Sequence, residues 1–320
     1  MKINRYVLAA AMVVGVLGSA IGQTQSDSNQ QCSLAVVSKL VDSKTQVCDN
    51  SVVQEMAKKG HAFEQNQLGI ASVLAIGPDS NGKEAFWWFE KAAHRGYAPA
   101  QVNLAVMYIN GWGTRVNDAA ALQWLHEAAD QHFARAYYNL GFMYFEGKGV
   151  RQDYAEAFKW FQKGADGGDS SAQTNLGYMY DEGWGCVRDL AKAAQWYQKA
   201  ADAGNPLGEN NLADLYLKGQ GVAHDDAKAF QWFQRAAAQG HTGAQIKLAT
   251  MYANGLGTAK DLVSAYALVS QATMSGDPRG KELQHALQKS LTQEQIAEAT
   301  ERATKELGAE RDLSARNFAQ

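Results

Sequence analysis

The sequence predicts an all-α solenoid of 36-residue, helix-turn-helix repeats, and three observations predict it. First, equivalent residues recur every 36 positions without insertion from about residue 60 to 276. One row is Leu68, Leu104, Leu140, Leu176, Leu212 and Leu248; another is Trp88, Trp124, Trp160, Trp196 and Trp232, ending in Leu268. Second, glycine is abundant (30) while proline is scarce (4), a pairing that marks repeated helix ends rather than low complexity. Third, a two-helix unit of this size cannot bury its own apolar face, so only stacked neighbours give it a core. An aromatic content of 10% argues against disorder, and a net charge of −3 gives no electrostatic basis for binding nucleic acid or an anionic membrane.

The elements follow in order. Lys2 and Arg5 precede an apolar run from Tyr6 to Leu17 and the small residues Gly18-Ser19-Ala20, the pattern of a secretory signal peptide over residues 1–22. The run is too short to span a bilayer. Cleavage takes the net charge from −3 to −5 and leaves a chain with no stable membrane insertion, destined for the periplasm or secretion. In that oxidising setting Cys32 and Cys48 are expected to pair, closing a loop of about 15 residues worth roughly 3 kcal/mol. Residues 23–60 form an N-terminal cap, in which Leu34–Val41 is a helix and 49–60 a half repeat with Gly60 in register. Six repeats fill 61–276.

Within a repeat, helix A carries its apolar face at helical spacing, as in Ala100, Leu104, Met107 and Tyr108. A Gly-x-Gly pair, from Gly111/Gly113 to Gly255/Gly257, ends it. Helix B starts at a row of N-cap acceptors, Asn81, Asn117, Asp153, Asp189, Asp225 and Asp261, with Asp153 and Glu156 forming a capping box. Its buried stripe is Ala121, Trp124, Ala128 and Ala129, the indole filling the gap between helices. The row Gly60, Gly96, Gly168, Gly204, Gly240 and Gly276 terminates helix B, with His132 standing in once. Cys186 takes a slot that holds Val150 and Val222 elsewhere and reads as a small buried hydrophobe. Residues 277–320 are C-terminal capping helices, the last from Thr292 to about Leu307, and a polar tail.

Asn139-Leu140-Gly141-Phe142-Met143-Tyr144 followed by Gly147-Lys148-Gly149-Val150, Asp153, Ala157, Trp160 and Ala165 resembles the Sel-1-like repeat, a short-loop relative of the tetratricopeptide repeat. The resemblance covers about residues 60–276 and implies a right-handed superhelix. The first unit departs from the pattern at Gln67, Ser72 and Ala75. The resemblance also implies an exported, non-catalytic scaffold that grips a protein or peptide partner, in the envelope or outside the cell, in a concave groove lined by the A helices. Two other readings stand beside it: a β-lactamase-like hydrolase, as assigned to cysteine-rich relatives that carry a cysteine pair in each repeat, and a binder of cell-wall glycan.

No catalytic residue, cofactor or metal ligand set is read from the chain. The seven histidines are scattered without ligand spacing, and the Gly-x-Gly pairs follow no strand and carry no Lys-Ser/Thr. The informative positions are those that do not repeat. On the helix A face opposite the core, one stripe holds Val102, Val106 and Ile109, then Tyr138, Phe142 and Phe145, then Thr174, Tyr178 and Asp181, then Asn210, Asp214 and Leu217. Val106, Ile109, Tyr138, Phe142, Phe145, Tyr178, Asp181 and Asp214 are the candidate groove residues, because an aromatic stripe on a surface expected to be polar marks a partner site. Trp112 and Trp184, between the two loop glycines, are the loop candidates.

Overall fold

A computed structural model describes residues 50–75 and 82–317. The signal peptide, the Cys32–Cys48 pairing, the Leu34–Val41 helix and Asn81 lie outside the described residues. Among those described are fifteen α-helices, one 3-10 turn and no strand. Helix α1 (Asn50–Lys59) is the half repeat. The A helices are α2 (Ala62–Ala75), α4 (Ala98–Asn110), α6 (Ala134–Glu146), α8 (Ser170–Glu182), α10 (Pro206–Lys218) and α12 (Thr242–Asn254). The B helices are α3 (Lys83–Ala93), α5 (Asp118–Asp130), α7 (Tyr154–Asp166), α9 (Leu190–Asp202), α11 (Asp226–Ala238) and α13 (Leu262–Met274). After the 3-10 turn Pro278–Gly280 come α14 (Lys281–Gln288) and α15 (Gln293–Asn317). Each A helix packs antiparallel to the B helix that follows, making an all-α solenoid. The chain divides into two compact units, one ending at Asp169 and one covering Ser170–Ser314.

The loop glycines explain the fixed spacing. Gly111 adopts φ 70° after α4, and the Trp112 N–H donates to the Met107 carbonyl at 2.9 Å, the bond that closes a left-handed helix end. The Asn117 N–H then donates to the Tyr108 carbonyl, and the Asn117 side chain accepts from the Ala120 N–H to start α5. The second glycine is required twice over. Gly221 has φ 72°, and a Cβ there would lie 2.2 Å from the carbonyl oxygen of Leu190, the first residue of the preceding repeat's B helix. Gly257 stands in the same relation to Asp226 at 2.3 Å. Gly204, by contrast, has φ 76° and open space around it. His132 holds the left-handed conformation at φ 61° without being glycine, its ring nitrogen 3.1 Å from the Tyr137 hydroxyl.

The expected B-helix core needs correction. The Trp row is half-buried, whereas the residue after each Trp is fully buried: Phe89, Leu125, Phe161, Tyr197 and Phe233. These face the A helix of their own repeat, where Gly69, Gly141 and Gly177 make room for the ring; a Cβ on Gly177 would touch the Tyr197 ring at 2.7 Å. The indoles of Trp124 and Trp232 instead pack on clusters that join the preceding repeat's B helix to the A helix of their own, Trp124 on the one holding Ala93 and Leu104 and Trp232 on the one holding Ala201 and Leu212. A cation three residues on covers three of the indoles: Lys163 lies 4.3 Å from the Trp160 ring, Lys199 3.8 Å from Trp196 and Arg235 4.6 Å from Trp232.

Asp153, Asp189, Asp225 and Asp261 cap their helices as expected. Asp153 accepts from the Glu156 N–H, but the Glu156 carboxylate pairs with Lys159 at 2.9 Å, so no reciprocal box forms there. A reciprocal box does open α15, where the Thr292 N–H donates to Gln295 Oε1 and the Gln295 N–H to Thr292 Oγ1. With Ile296, Ala299 and Ala303 turned onto α13 and α14, this helix continues to Asn317, ten residues past the expected end. Cys186 is a free, half-buried thiol that donates to the Met179 carbonyl at 3.4 Å, and burial raises its pKa.

Candidate functional site

The A helices carry the candidate residues on a frame that uses two faces for packing. One face meets the B helix of the same repeat. The other meets neighbouring A helices, as where the Asn103 amide donates to Asn66 Oδ1 at 3.0 Å. This second contact corrects part of the expected stripe. Val106 is only 1% exposed and belongs to the core with Ile70, Leu104 and Met107, so it is not a groove residue. Val102, Thr174 and Asn210 are buried for the same reason.

In the first unit the aromatic candidates divide. The Tyr138 ring packs 6.0 Å from Phe161 with the Arg135 guanidinium 5.2 Å away, and burial raises its hydroxyl pKa. Arg135 is itself held by Asp169 at 2.9 Å. Phe145 packs against Tyr154 and Phe161 at 5.3 and 6.4 Å, spending its ring on α7. Phe142 is half-buried with the Lys148 ammonium 5.1 Å from its ring. Ile109 is half-buried against the core shared by its own repeat and the following one. Trp112 packs on the cluster of Phe89, Leu104 and Met107.

In the second unit α8 and α10 part to form a cleft of about 410 Å³. Tyr178 and Asp181 stand on one wall and Asp214 on the other, so three candidates meet in one place. Trp184 braces Tyr178 edge-on at 5.3 Å. Tyr197 lies 1% exposed among the lining residues, and its hydroxyl hydrogen-bonds Asn211; burial, then the Asp181 charge, push its pKa far above the ordinary tyrosine value. Both carboxylates are neutralised locally. Arg188 lies 3.7 Å from Asp181 and also donates to its carbonyl, while Lys247 bridges Asp214 and Asn210. Besides Tyr197, five lining residues, Asn175, Leu207, Asn211, Leu215 and Lys218, escaped the sequence reading. The open face lies about one residue round the helix from the expected stripe. The recurring Asn103, Asn139, Asn175 and Asn211 also read as framework, although Leu207, an exposed leucine in a first turn, was a usable signal.

Several of the cleft's polar groups are tied to residues outside its lining, with Thr174 donating to the Ser170 carbonyl, Asp181 beside Arg188 and Asp214 beside Lys247. Among the described residues there is no group of three or more His, Cys, Asp or Glu placed to hold a metal.

Side chains varied upon a constant two-helix frame define a repeat solenoid. The Sel1 repeat matches six times in succession, over residues 65–97, 98–133, 134–169, 170–205, 206–241 and 242–277, and the chain belongs to the Sel1 repeat family. Proteins of this family are generally protein-interaction scaffolds and generally non-catalytic. The chain resembles c5321, a protective antigen present in uropathogenic Escherichia coli strains and displaying an SLR fold, at 32% identity and a TM-score of 0.64. That likeness covers 84% of this chain and 58% of c5321, so this chain spans less than two thirds of that protein. A Sel1 repeat protein from Oxalobacter formigenes is 31% identical with a TM-score of 0.65, covering 70% of this chain and 92% of that one. Among curated proteins none matches.

Proposed function

We propose that this chain is an exported scaffold that holds a segment of a protein partner against its A helices, with the α8/α10 cleft as the principal seat. The carrying observation is the cleft itself. Tyr178, Asp181 and Asp214 interrupt rows that hold Val, Ile or Phe in the first unit, and they converge on one opening of about 410 Å³. The neutralised acids favour an uncharged, hydrogen-bonding segment over a strongly basic one, because a cation would have to displace Arg188 or Lys247. Export rests on the charged, apolar and small-residue pattern of residues 1–22, and the likeness to a protective antigen of a uropathogen supports an envelope or extracellular location.

A photo-crosslinking residue placed at Leu207 in the cleft should capture a partner polypeptide in the native cell, whereas one placed at exposed Gln195 on α9 should not. Tyr178→Ala should abolish that capture and keep the melting temperature within a few degrees of the parent. Equal capture from both positions, or a Tyr178→Ala chain that loses its fold but not its partner, overturns the reading. Mass spectrometry of the purified native protein tests export: the mature chain should begin after Ala20 or Gly22.

A further inference from the structure

In the sixth repeat the Trp row ends in a leucine, and the space the indole would fill is open. Trp124 packs on the cluster that contains Ala93 and Leu104 and has Tyr108 at its edge, and Trp232 on the one that contains Ala201 and Leu212 and has Tyr216 at its edge. Moved along by whole repeats, those positions are Ala237, Leu248 and Tyr252, and all three line a second cleft, of about 350 Å³, beside Leu268. Smaller contacts shift in the same way. His94, 5.0 Å from the Trp124 ring, corresponds to Ala238, and His126, 5.7 Å from Trp160, corresponds to Gln234; both equivalents line the cleft. The covering cation is replaced as well. The residue three beyond Leu268 is Gln271, which bonds Glu306 of α15, and from the same helix Arg302 comes to the rim.

We infer that this slot is a binding site for an aromatic side chain, an indole above all, presented by a partner polypeptide. The site lies on the B-helix side of the second unit, apart from the α8/α10 cleft, and does not depend on that cleft's function. Its floor is the apolar surface that receives an indole in earlier repeats, so the ring regains the packing and area burial its relatives have. Arg302, ion-paired with Glu298 along its own helix, lines the slot and supplies the cation that Lys163, Lys199 and Arg235 supply over their indoles. A volume of about 350 Å³ admits a two-ring group with its backbone attachment.

The test uses the full mature chain and N-acetyl-L-tryptophanamide, followed by saturation-transfer NMR on the probe's ring protons in the millimolar range expected for so small a ligand. Binding should be seen with the parent, be lost in Leu268→Trp, whose own indole occupies the slot, and weaken several-fold in Arg302→Gln. Leu268→Trp should also melt higher than the parent. If Leu268→Trp does not fold, Leu268→Ala, which widens the slot, should keep the probe bound. The inference is overturned if the parent gives no transfer, if folded Leu268→Trp binds the probe as the parent does, or if Leu268→Ala loses it. It is equally overturned if N-acetyl-L-leucinamide binds as well as the tryptophan probe, or if free indole binds and the tryptophan probe does not.

Discussion

Glu209 is 0% exposed in α10, at a helix A position that holds Gln101, Gln173 and Gln245 in other repeats. The glutamines at 101 and 245 donate to a carbonyl of the preceding B helix, whereas Glu209 must be met by Arg235 at 3.0 Å and Gln239 at 2.7 Å. Burial outweighs these partners and raises its pKa, so the ionised form is a cost to the fold. A raised native pKa means that stability is gained as the pH falls through it. Glu209→Gln should therefore raise stability by up to about 1 kcal/mol at neutral pH, an advantage over the parent that shrinks in acid and is read from urea denaturation at both pH values. His241 shows the opposite sign. Its Nδ1 accepts from the Ala244 N–H at 3.0 Å to cap α12, which requires an unprotonated nitrogen, and burial, then Lys247 and Arg279, lower its pKa. Unfolding then takes up a proton, so stability is present above the unfolded value of about 6.5 and declines as the pH falls through it. His241→Asn, which copies Asn205 one repeat earlier, should flatten the melting temperature between about pH 7 and pH 5 relative to the parent.

At the scale of the element, the joints set the tolerance. Gly204→Ala meets only the strain of a left-handed backbone, about 1 kcal/mol, while Gly221→Ala adds a clash with the Leu190 carbonyl and should cost at least about 2 kcal/mol more in urea denaturation. Helix positions and caps were legible in the sequence because each rests on local chemistry: a glycine at positive φ, an acid at an N-cap. The Trp row was misplaced because its burial is decided by the neighbouring repeat, which periodicity within one helix does not reveal. The same limit misled the reading of Val106, since the hydrophobic spacing of α4 does not show that a second A helix lies against it. Tyr178, Asp181 and Asp214 were found because they break their rows, whereas Asn175 and Asn211 were passed over because they keep theirs.

At the largest scale, within each of the two compact units a repeat packs chiefly on the one before and the one after, and cooperativity should spread by nearest neighbours there. Gly221→Ala should accelerate amide exchange in α9, α10 and α11 and leave α4 and α5 close to the parent, as read by hydrogen-exchange mass spectrometry. Equal loss in α4 and α5 would show that the chain opens as one block. At Gly221 and Gly257 the contact between the loop glycine and the opening carbonyl of the previous B helix involves no side chain from either partner. Such a joint is blind to what the flanking residues are. A gene that gained or lost a stretch encoding 36 residues would keep every joint intact wherever the crossover fell, whereas a gain of 35 or 37 would set a side chain where only glycine fits. The array can lengthen or shorten by recombination without designing a new interface, leaving the cleft-facing positions free to diversify.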